Sequence, residues 1–265
     1  MAGLIIETIA NNQKLTFPVQ KSNKSRLAGK LRYWWCWFIA GCLLLFIAMP
    51  ALIFLGLIGR RMWLYPLAGW GARTWLRACG ATVKVTGLEN LEEGRSYVFI
   101  SNHRSYLDTA TLFFCAGRRM GLLAKKELLK TPVFGQGLSF VNIIAIDRSN
   151  PERAIASMKK ARDVMAGGSS FGVFAEGTRA MPGELLPFKK GAFHLALQTG
   201  SAIIPVAIKN TDWMMGKRTG VAYAGEIEMI LLPRVETTGL NANNDLMDLL
   251  RETRSAIANQ LGIDT

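Results

Sequence analysis

The chain has 265 residues, which is long enough for one sizeable α/β domain and an appendage, and half of its residues are hydrophobic. Its formal net charge is +13, and a chain this basic seeks an anionic membrane surface, nucleic acid or acidic ligands. The sequence carries no nucleic-acid-binding motif. Its four scattered cysteines form no Cys-x-x-Cys pair, which argues against a disulfide framework and against a metal site.

Residues 1–30 form a polar tail that lacks the order of basic, apolar and cleavage regions found in a secretory signal. Residues 33–59 contain no charged side chain, and this run exceeds the roughly 20 residues that a helix needs to cross a bilayer. The run contains Pro50, which kinks or breaks helices, and basic residues flank both of its ends. Because basic flanks prefer the cytoplasmic side, we favour a helical hairpin that dips into one leaflet over a single clean span.

Residues 63–76 continue with apolar and aromatic side chains, interrupted by Arg73, which is typical of an amphipathic helix at a membrane interface. We therefore expect residues 31–80 to form a membrane anchor, either a hairpin or a single span followed by an interfacial helix. The flanking charges predict a place at the inner cell membrane, with the rest of the chain on the cytoplasmic face.

After residue 80 the pattern changes to short β-type runs that alternate with helical ones. The candidate strands are 82–86, 97–101, 121–124, 141–146, 171–174, 203–208 and 227–232. The clearest helical runs are 151–166, 188–199 and 244–261. This alternation predicts an α/β domain over residues 81–265, with a mainly parallel sheet flanked by helices.

The first candidate for chemistry is His103, which follows a predicted strand at the carboxyl end, where ligands gather in parallel sheets. Asp108 lies five residues later, so the two side chains meet only if His103 is in the loop and Asp108 in the first turns of the next helix. Asp108 then fixes the imidazole tautomer and leaves the other ring nitrogen free as a general base. On spacing alone, a turn histidine satisfied by a helix-capping acid is the simpler interpretation.

The loop after the predicted strand 171–174 is the second candidate. Gly177 permits a close backbone approach to a ligand, and Arg179 carries a planar fork of donors suited to a phosphate. Residues 168–172 fit Gly-x-Ser-x-Gly formally, but this serine precedes a strand instead of following one, so we reject a hydrolase nucleophile elbow. His194 lies in a predicted helix without an acid placed by a motif, and we interpret it as structural.

Four sequence blocks, in order, resemble those of the glycerolipid acyltransferases, the family that includes 1-acyl-glycerol-3-phosphate acyltransferase. The blocks are Asn-His-x4-Asp at 102–108, Ile-Asp-Arg at 146–148, Phe-Ala-Glu-Gly-Thr-Arg at 174–179 and Ile-Pro-Val-Ala-Ile at 204–208. Two further segments match in suitable positions, Ala-Lys-Lys-Glu-Leu at 124–128 and Leu-Pro-Phe-Lys-Lys-Gly-Ala-Phe at 186–193. The resemblance covers residues 80–235, and it departs slightly at Ala175, where the family usually carries Pro.

The resemblance implies that His103 and Asp108 are the catalytic pair and that Arg179 binds the phosphate of the acyl acceptor. The residues implied to hold the acceptor are Glu176, Gly177, Thr178, Arg179, Lys125 and Arg148. Lys126 is the alternative to Lys125 as the second phosphate contact. Arg148 and its neighbour Asp147 either bind ligand or only knit their loop together.

The reaction implied is transfer of an acyl chain from a thioester to the free hydroxyl of a lysophospholipid. The expected acceptor is 1-acyl-sn-glycerol 3-phosphate, which gives phosphatidic acid, and the hydroxyl attacks directly because no serine intermediate is indicated. The donor is acyl-CoA or an acyl carrier protein, both acidic and suited to a basic surface, and no other cofactor is expected. The alternatives are a lyso-ornithine lipid acceptor, a phospholipid-remodelling enzyme, or a catalytically silent lipid-binding protein of the same fold.

Overall fold

The structure is a computed structural model that describes residues 23–60, 63–115, 120–125, 143–146 and 151–264. Its strands are β1 Ala81–Thr86, β2 Val98–Ser101, β3 Met120–Lys125, β4 Ile143–Ile146, β5 Ser170–Phe174, β6 Ile203–Lys209 and β7 Gly225–Leu231. Its α-helices are α1 Asn23–Cys42, α2 Met49–Leu57, α3 Leu64–Ala78, α4 Leu107–Cys115, α5 Pro151–Ala166, α6 Gly191–Thr199, α7 Thr211–Met215 and α8 Leu246–Leu261.

The seven strands form one sheet in the order β1-β7-β6-β2-β5-β3-β4. Neighbouring strands are parallel except β6 and β7, which are antiparallel, so β7 and β1 run against the other five strands. The predicted mainly parallel sheet is confirmed, and every predicted strand is present. Because β2 to β6 all point the same way, their carboxyl ends meet at one edge, which we call the catalytic edge.

Apolar layers cover both faces of the sheet, and β2 shows how the sequence achieves this. Side chains alternate across a strand, so neighbouring residues of β2 enter different layers. Phe99 packs in the layer that contains Leu112 of α4, whereas Val98 and Ile100 pack in the layer that contains Phe193 of α6. All of β2 is buried, as expected of a central parallel strand.

A single helix runs through the apolar segment of the N-terminal region. α1 passes into a π-helical turn, Leu43–Ala48, and then into α2 without a break, so the helical stretch Ser25–Leu57 is 33 residues long. Pro50 lies in the first turn of α2, directly after the π-helical turn. Proline lacks an N–H, and the wider turn before it absorbs the missing hydrogen bond without a break. The chain therefore does not reverse within residues 33–57, where we placed the turn of the hairpin, and the choice between a hairpin and a single span in the membrane stays a prediction.

The chain reverses after α2, where Gly59 adopts a left-handed conformation with φ of 69°. α3 then folds back and packs against α1 and α4. The helix Ser25–Leu57 is long and apolar enough to cross a membrane, and only 6% of its most apolar 18-residue window is buried. Its exposed side chains include Trp34, Phe38 and Phe46. An apolar surface of this size on a helix is typical of a membrane-associated protein.

Candidate active site

His103 and Asp108 come together at the catalytic edge. β2 ends at Ser101, and the loop after it carries His103, while α4 begins at Leu107 and places Asp108 in its first turn. The His103 Nδ1 and Asp108 Oδ2 atoms are 2.9 Å apart. The Asp108 side chain is fully buried, whereas that of His103 is 17% exposed. A ligand can therefore reach the imidazole but not the carboxylate.

The hydrogen bonds of Asp108 fix the tautomer of the imidazole. Its Oδ2 accepts the backbone N–H groups of Arg104 and Ser105, each at 2.7 Å, in addition to the ring of His103. An ionised carboxylate can only accept, so Nδ1 of His103 carries the hydrogen and donates it. In the neutral ring Nε2 then keeps a free lone pair, which is the requirement for a general base.

The His103 ring is also held from its face. It stacks on Phe174, the last residue of β5, with a centroid separation of 4.1 Å and an interplanar angle of 18°. The Asp108 hydrogen bond sets the direction of the ring and the Phe174 contact sets its plane. Both restraints order the imidazole before any ligand binds, which lowers the entropy cost of reaching a reactive geometry.

The Glu176 side chain is buried against the loop that carries His103 and does not point out of the site. Its Oε1 accepts the backbone N–H of His103 at 2.7 Å, and its Oε2 accepts the backbone N–H of Leu186 at 2.8 Å. The residue is 2% exposed, and burial raises the pKa of its carboxyl to about 7. Glu176 thus joins the histidine loop to the segment after the third sequence block. Its expected contact with an acceptor stays a prediction, because both of its oxygens face backbone donors.

The loop after β5 brings Arg179 to the same edge. Gly177 has a φ of 73°, a left-handed conformation that glycine adopts freely, and Thr178 is exposed. The Ala180 N–H donates to the His103 carbonyl at 2.7 Å, which joins the two loops directly. The guanidinium of Arg179 is partly exposed, and its Cζ lies 3.6 Å from the ring centroid of Tyr106. The loop can therefore present a cation beside the histidine.

Three further residues support the histidine loop, and the sequence interpretation gave none of them a role. The Asn102 side chain forms two hydrogen bonds with the backbone of Ile208, at 2.9 and 2.8 Å, which fasten the loop to β6. Arg104 donates from Nε to the Glu184 carbonyl at 2.7 Å, and Ser105 donates from Oγ to the Met215 carbonyl at 2.7 Å. Asn102 and Ser105 belong to the first sequence block, so this block specifies a scaffold as well as a base.

The other predicted ligand residues lie at or beyond the limits of the described chain. Lys125 is the last residue of β3, which ends at the catalytic edge beside β5. Lys126, Asp147 and Arg148 lie outside the described residues, so the phosphate contact of Lys125 or Lys126 and the role of the Asp147–Arg148 pair stay predictions. Ser170, the serine of the rejected nucleophile elbow, opens β5 and accepts the Tyr97 N–H at 3.1 Å. That rejection is confirmed.

A mainly parallel sheet with a buried carboxylate and a reachable imidazole at its carboxyl edge defines a protein equipped to take a proton from a hydroxyl. Comparison with known proteins narrows this class. A family model described as "Acyltransferase" matches residues 82–209. The chain has the fold of the crystal structure of the 1-acyl-sn-glycerophosphate acyltransferase PlsC from Thermotoga maritima, with a TM-score of 0.77 and 22% identity over 89% of this chain and 96% of that one.

Two curated relatives agree with this match. An uncharacterized acyltransferase of Schizosaccharomyces pombe is 38% identical over 67% of this chain and 64% of its own length. The human 1-acyl-sn-glycerol-3-phosphate acyltransferase alpha is 31% identical over 70% of this chain and 66% of its own length. The chain thus spans somewhat less than two thirds of these relatives. Residues 82–209 thus form an acyltransferase-family domain.

Proposed function

We propose that the protein transfers an acyl chain from a thioester to the free hydroxyl of 1-acyl-sn-glycerol 3-phosphate, and so forms phosphatidic acid. The observation that carries the proposal is the His103–Asp108 pair, which leaves Nε2 free at an edge that Arg179 shares. Several relatives are named 1-acyl-sn-glycerol-3-phosphate acyltransferases, and these names support the same acceptor.

In the proposed reaction, His103 Nε2 accepts the proton of the acceptor hydroxyl while its oxygen attacks the thioester carbonyl carbon. The new C–O bond forms, the C–S bond breaks, and the imidazolium returns the proton to the leaving thiolate. Asp108 holds the ring in place and stabilises the imidazolium between the two proton transfers. General-base catalysis of this kind contributes about 10²- to 10⁴-fold to rate.

Recognition of the acceptor is assigned to its phosphate. The Arg179 guanidinium suits a phosphate because its planar donors can bind two oxygens at once. The backbone of the Gly177–Thr178 turn lies beside it, and Lys125 at the end of β3 is proposed as a second cation, together with Arg148. Glu176 is proposed to act indirectly, by holding the His103 backbone.

The exposed apolar helix is proposed to anchor the protein in the inner cell membrane, with the catalytic edge on the cytoplasmic side. Arg26 and Lys30 of α1 and Arg60 after α2 are exposed next to this apolar surface, and such cations attract anionic headgroups. The anchor keeps the site at the surface where a lysolipid resides. The donor is proposed to be acyl-CoA or an acyl carrier protein.

The experiment is acyl transfer by protein purified in detergent, followed by mass spectrometry of the products. Lysophosphatidic acid and lyso-ornithine lipid are offered in parallel, each with an acyl-CoA and with an acylated carrier protein. His103→Ala removes the base, and His194→Ala is the matched control because His194 lies in α6 and no side-chain hydrogen bond joins it to the histidine loop in the described residues.

Transfer to lysophosphatidic acid that is lost in His103→Ala and kept in His194→Ala supports the proposal. Transfer to the ornithine lipid alone would keep the chemistry and refute the acceptor. Absence of His103-dependent transfer to either lipid would refute both acceptors and favour a phospholipid-remodelling enzyme with another lysolipid or a silent lipid-binding protein of the same fold.

A further inference from the structure

The ring of Tyr106 lies against the guanidinium of Arg179. The 3.6 Å between Arg179 Cζ and the ring centroid is well inside the roughly 6 Å within which a cation and an aromatic face attract each other. Tyr106 belongs to the loop that carries His103, whereas Arg179 belongs to the loop after β5. The contact therefore joins the cation to the loop of the base. Tyr106 is 40% exposed, so this pair lies where a ligand can reach it.

Arg179 is held by an aromatic ring and not by an acid. Within the described part of the chain no carboxylate forms an ion pair with it, whereas the nearby Arg104 pairs with Asp212 at 3.3 Å. Its backbone is fixed as well, because Lys217 Nζ donates to the Arg179 carbonyl. A ring orders the guanidinium without neutralising it, so the whole positive charge remains for an anionic ligand.

Trp37 of α1 supports the Tyr106 ring from another side. The two rings meet edge to face, with centroids 4.9 Å apart and an interplanar angle of 83°. The ring of Trp37 also lies beside that of Trp75 of α3, with centroids 6.4 Å apart. Trp75 Nε1 donates a hydrogen bond to the Cys36 carbonyl at 2.8 Å. Aromatic residues of α1 and α3 thus form a chain of ring contacts that leads through Tyr106 to Arg179.

We infer that Tyr106 is a positioning residue that orders Arg179 for the anionic headgroup of the acceptor, and that Trp37 holds Tyr106 in place. The inference rests on the proposed contact between Arg179 and the acceptor phosphate. An arginine side chain has several rotatable bonds. When an unrestrained arginine binds a ligand, the side chain loses conformational entropy, and this loss weakens binding. A guanidinium that already lies on a fixed ring avoids most of that cost. We expect loss of either ring to raise the KM for the acceptor and to leave kcat nearly unchanged. In the described structure neither Tyr106 nor Trp37 forms a hydrogen bond with the His103–Asp108 pair.

The test is a double-mutant cycle with the full-length protein in detergent micelles and lysophosphatidic acid as the varied substrate. Tyr106→Leu removes the ring, and we expect acceptor KM to rise about 2- to 30-fold, the range that corresponds to one cation–π contact, with kcat nearly unchanged. Tyr106→Phe keeps the ring and is expected to restore a KM close to that of the parent. In an Arg179→Ala background, Tyr106→Leu should raise KM by less than about twofold, because the cation that it positions is absent.

Two tryptophan variants test the support from α1. Trp37→Leu should raise acceptor KM by about 2- to 10-fold, the range expected when one aromatic pair is lost. Trp70→Leu is its matched control, because Trp70 is an exposed tryptophan on α3 and should leave KM unchanged. Melting temperatures of all variants are measured, so that a loss of folded protein is not mistaken for weaker binding.

The outcomes separate the inference from the function on which it rests. If Arg179→Ala raises KM and Tyr106→Leu does not, or if the two effects simply add, the positioning role is overturned and the proposed function stands. If Tyr106→Phe is as defective as Tyr106→Leu, the hydroxyl matters and the ring contact is refuted. If Arg179→Ala leaves KM unchanged, the phosphate contact itself is wrong and the inference falls with it.

Discussion

Replacement of Asp108 by Asn is the most direct test of the proposed base. Asn keeps an oxygen that can accept the Arg104 and Ser105 N–H groups, so the loop is expected to fold, but it removes the negative charge beside the imidazolium. With the Nδ1 and Oδ2 atoms 2.9 Å apart, the charge centres of the pair lie close together. Two unit charges about 4 Å apart interact with about 4 kcal/mol at an effective dielectric constant of about 20, and this corresponds to about 10³-fold in rate.

We therefore expect Asp108→Asn to lower kcat for lysophosphatidic acid by about 10³-fold. Acceptor KM should change by less than about threefold, since a side chain with 0% exposure cannot touch the substrate. Initial rates from product mass spectrometry give both constants. Asp163→Asn, on the exposed face of α5, is the matched control and should be indistinguishable from the parent. A variant that keeps more than about a tenth of kcat, or that fails only in KM, would refute the assignment of Asp108.

Three further predictions concern stability and membrane binding. Burial raises the pKa of Glu176 to about 7, so the stability that its proton provides is present below about pH 4.5 and is lost as pH rises through 7; Glu176→Gln removes this titration. The melting temperature of the parent should therefore fall relative to that of Glu176→Gln from pH 5 to pH 8, and a constant difference contradicts the assignment. Gly216→Ala would place a Cβ 2.1 Å from a backbone carbonyl oxygen, so it should lower the melting temperature by several degrees, whereas Gly191→Ala meets nothing within 4 Å and should be neutral. Phe46→Asp puts a charge on the exposed apolar helix at a cost of about 2 to 4 kcal/mol, so carbonate washing should release it from membranes, whereas Met247→Asp on α8 should stay with the parent in the membrane fraction.

The strands were predictable because a buried parallel strand is a short continuous apolar run. β2 and β6 are almost wholly buried, and both were located from this pattern. The direction of β7 was not predictable, because the residues of a strand do not encode which way its neighbour runs. Residues 210–224 join β6 to its antiparallel neighbour β7, whereas residues 126–142, a connection of similar length, join β3 to its parallel neighbour β4, so the length of the connection does not set the direction either.

The path of the N-terminal helix was misjudged for a local reason. Pro50 indicates a kink or break when a regular α-helix is assumed, and the hairpin prediction relied on that assumption as well as on the basic flanks. The wider π-helical turn Leu43–Ala48 directly precedes α2, so the helix continues through the proline. A single π-helical turn has no sequence pattern from which it could have been predicted.

In the site, the spacing of His103 and Asp108 defined the one local geometry in which they can meet, and the resemblance to the glycerolipid acyltransferases predicted that they form a catalytic pair. The hydrogen bonds of Glu176 could not be foreseen in the same way. They join backbone N–H groups of His103 and Leu186, and every residue except proline has such a group, so no residue type marks the partners. The contact of Tyr106 with Trp37 was equally hidden, since it depends on how α1 lies against the loop before α4 and not on any local spacing.

The position of α1 gives the proposed acceptor a physical route to the base. A lysolipid is an amphiphile, so its hydroxyl has to reach Nε2 of His103 while its acyl chain remains in apolar surroundings. Along α1, Leu31, Trp34 and Phe38 are exposed on one side of the helix, and Trp37 on another side contacts the Tyr106 that supports Arg179. A headgroup bound at Arg179 would therefore be connected to the apolar helix through the Tyr106 and Trp37 rings. In the proposed function, the helix that anchors the protein therefore also supports the cation beside the histidine, where the headgroup of the acceptor would bind.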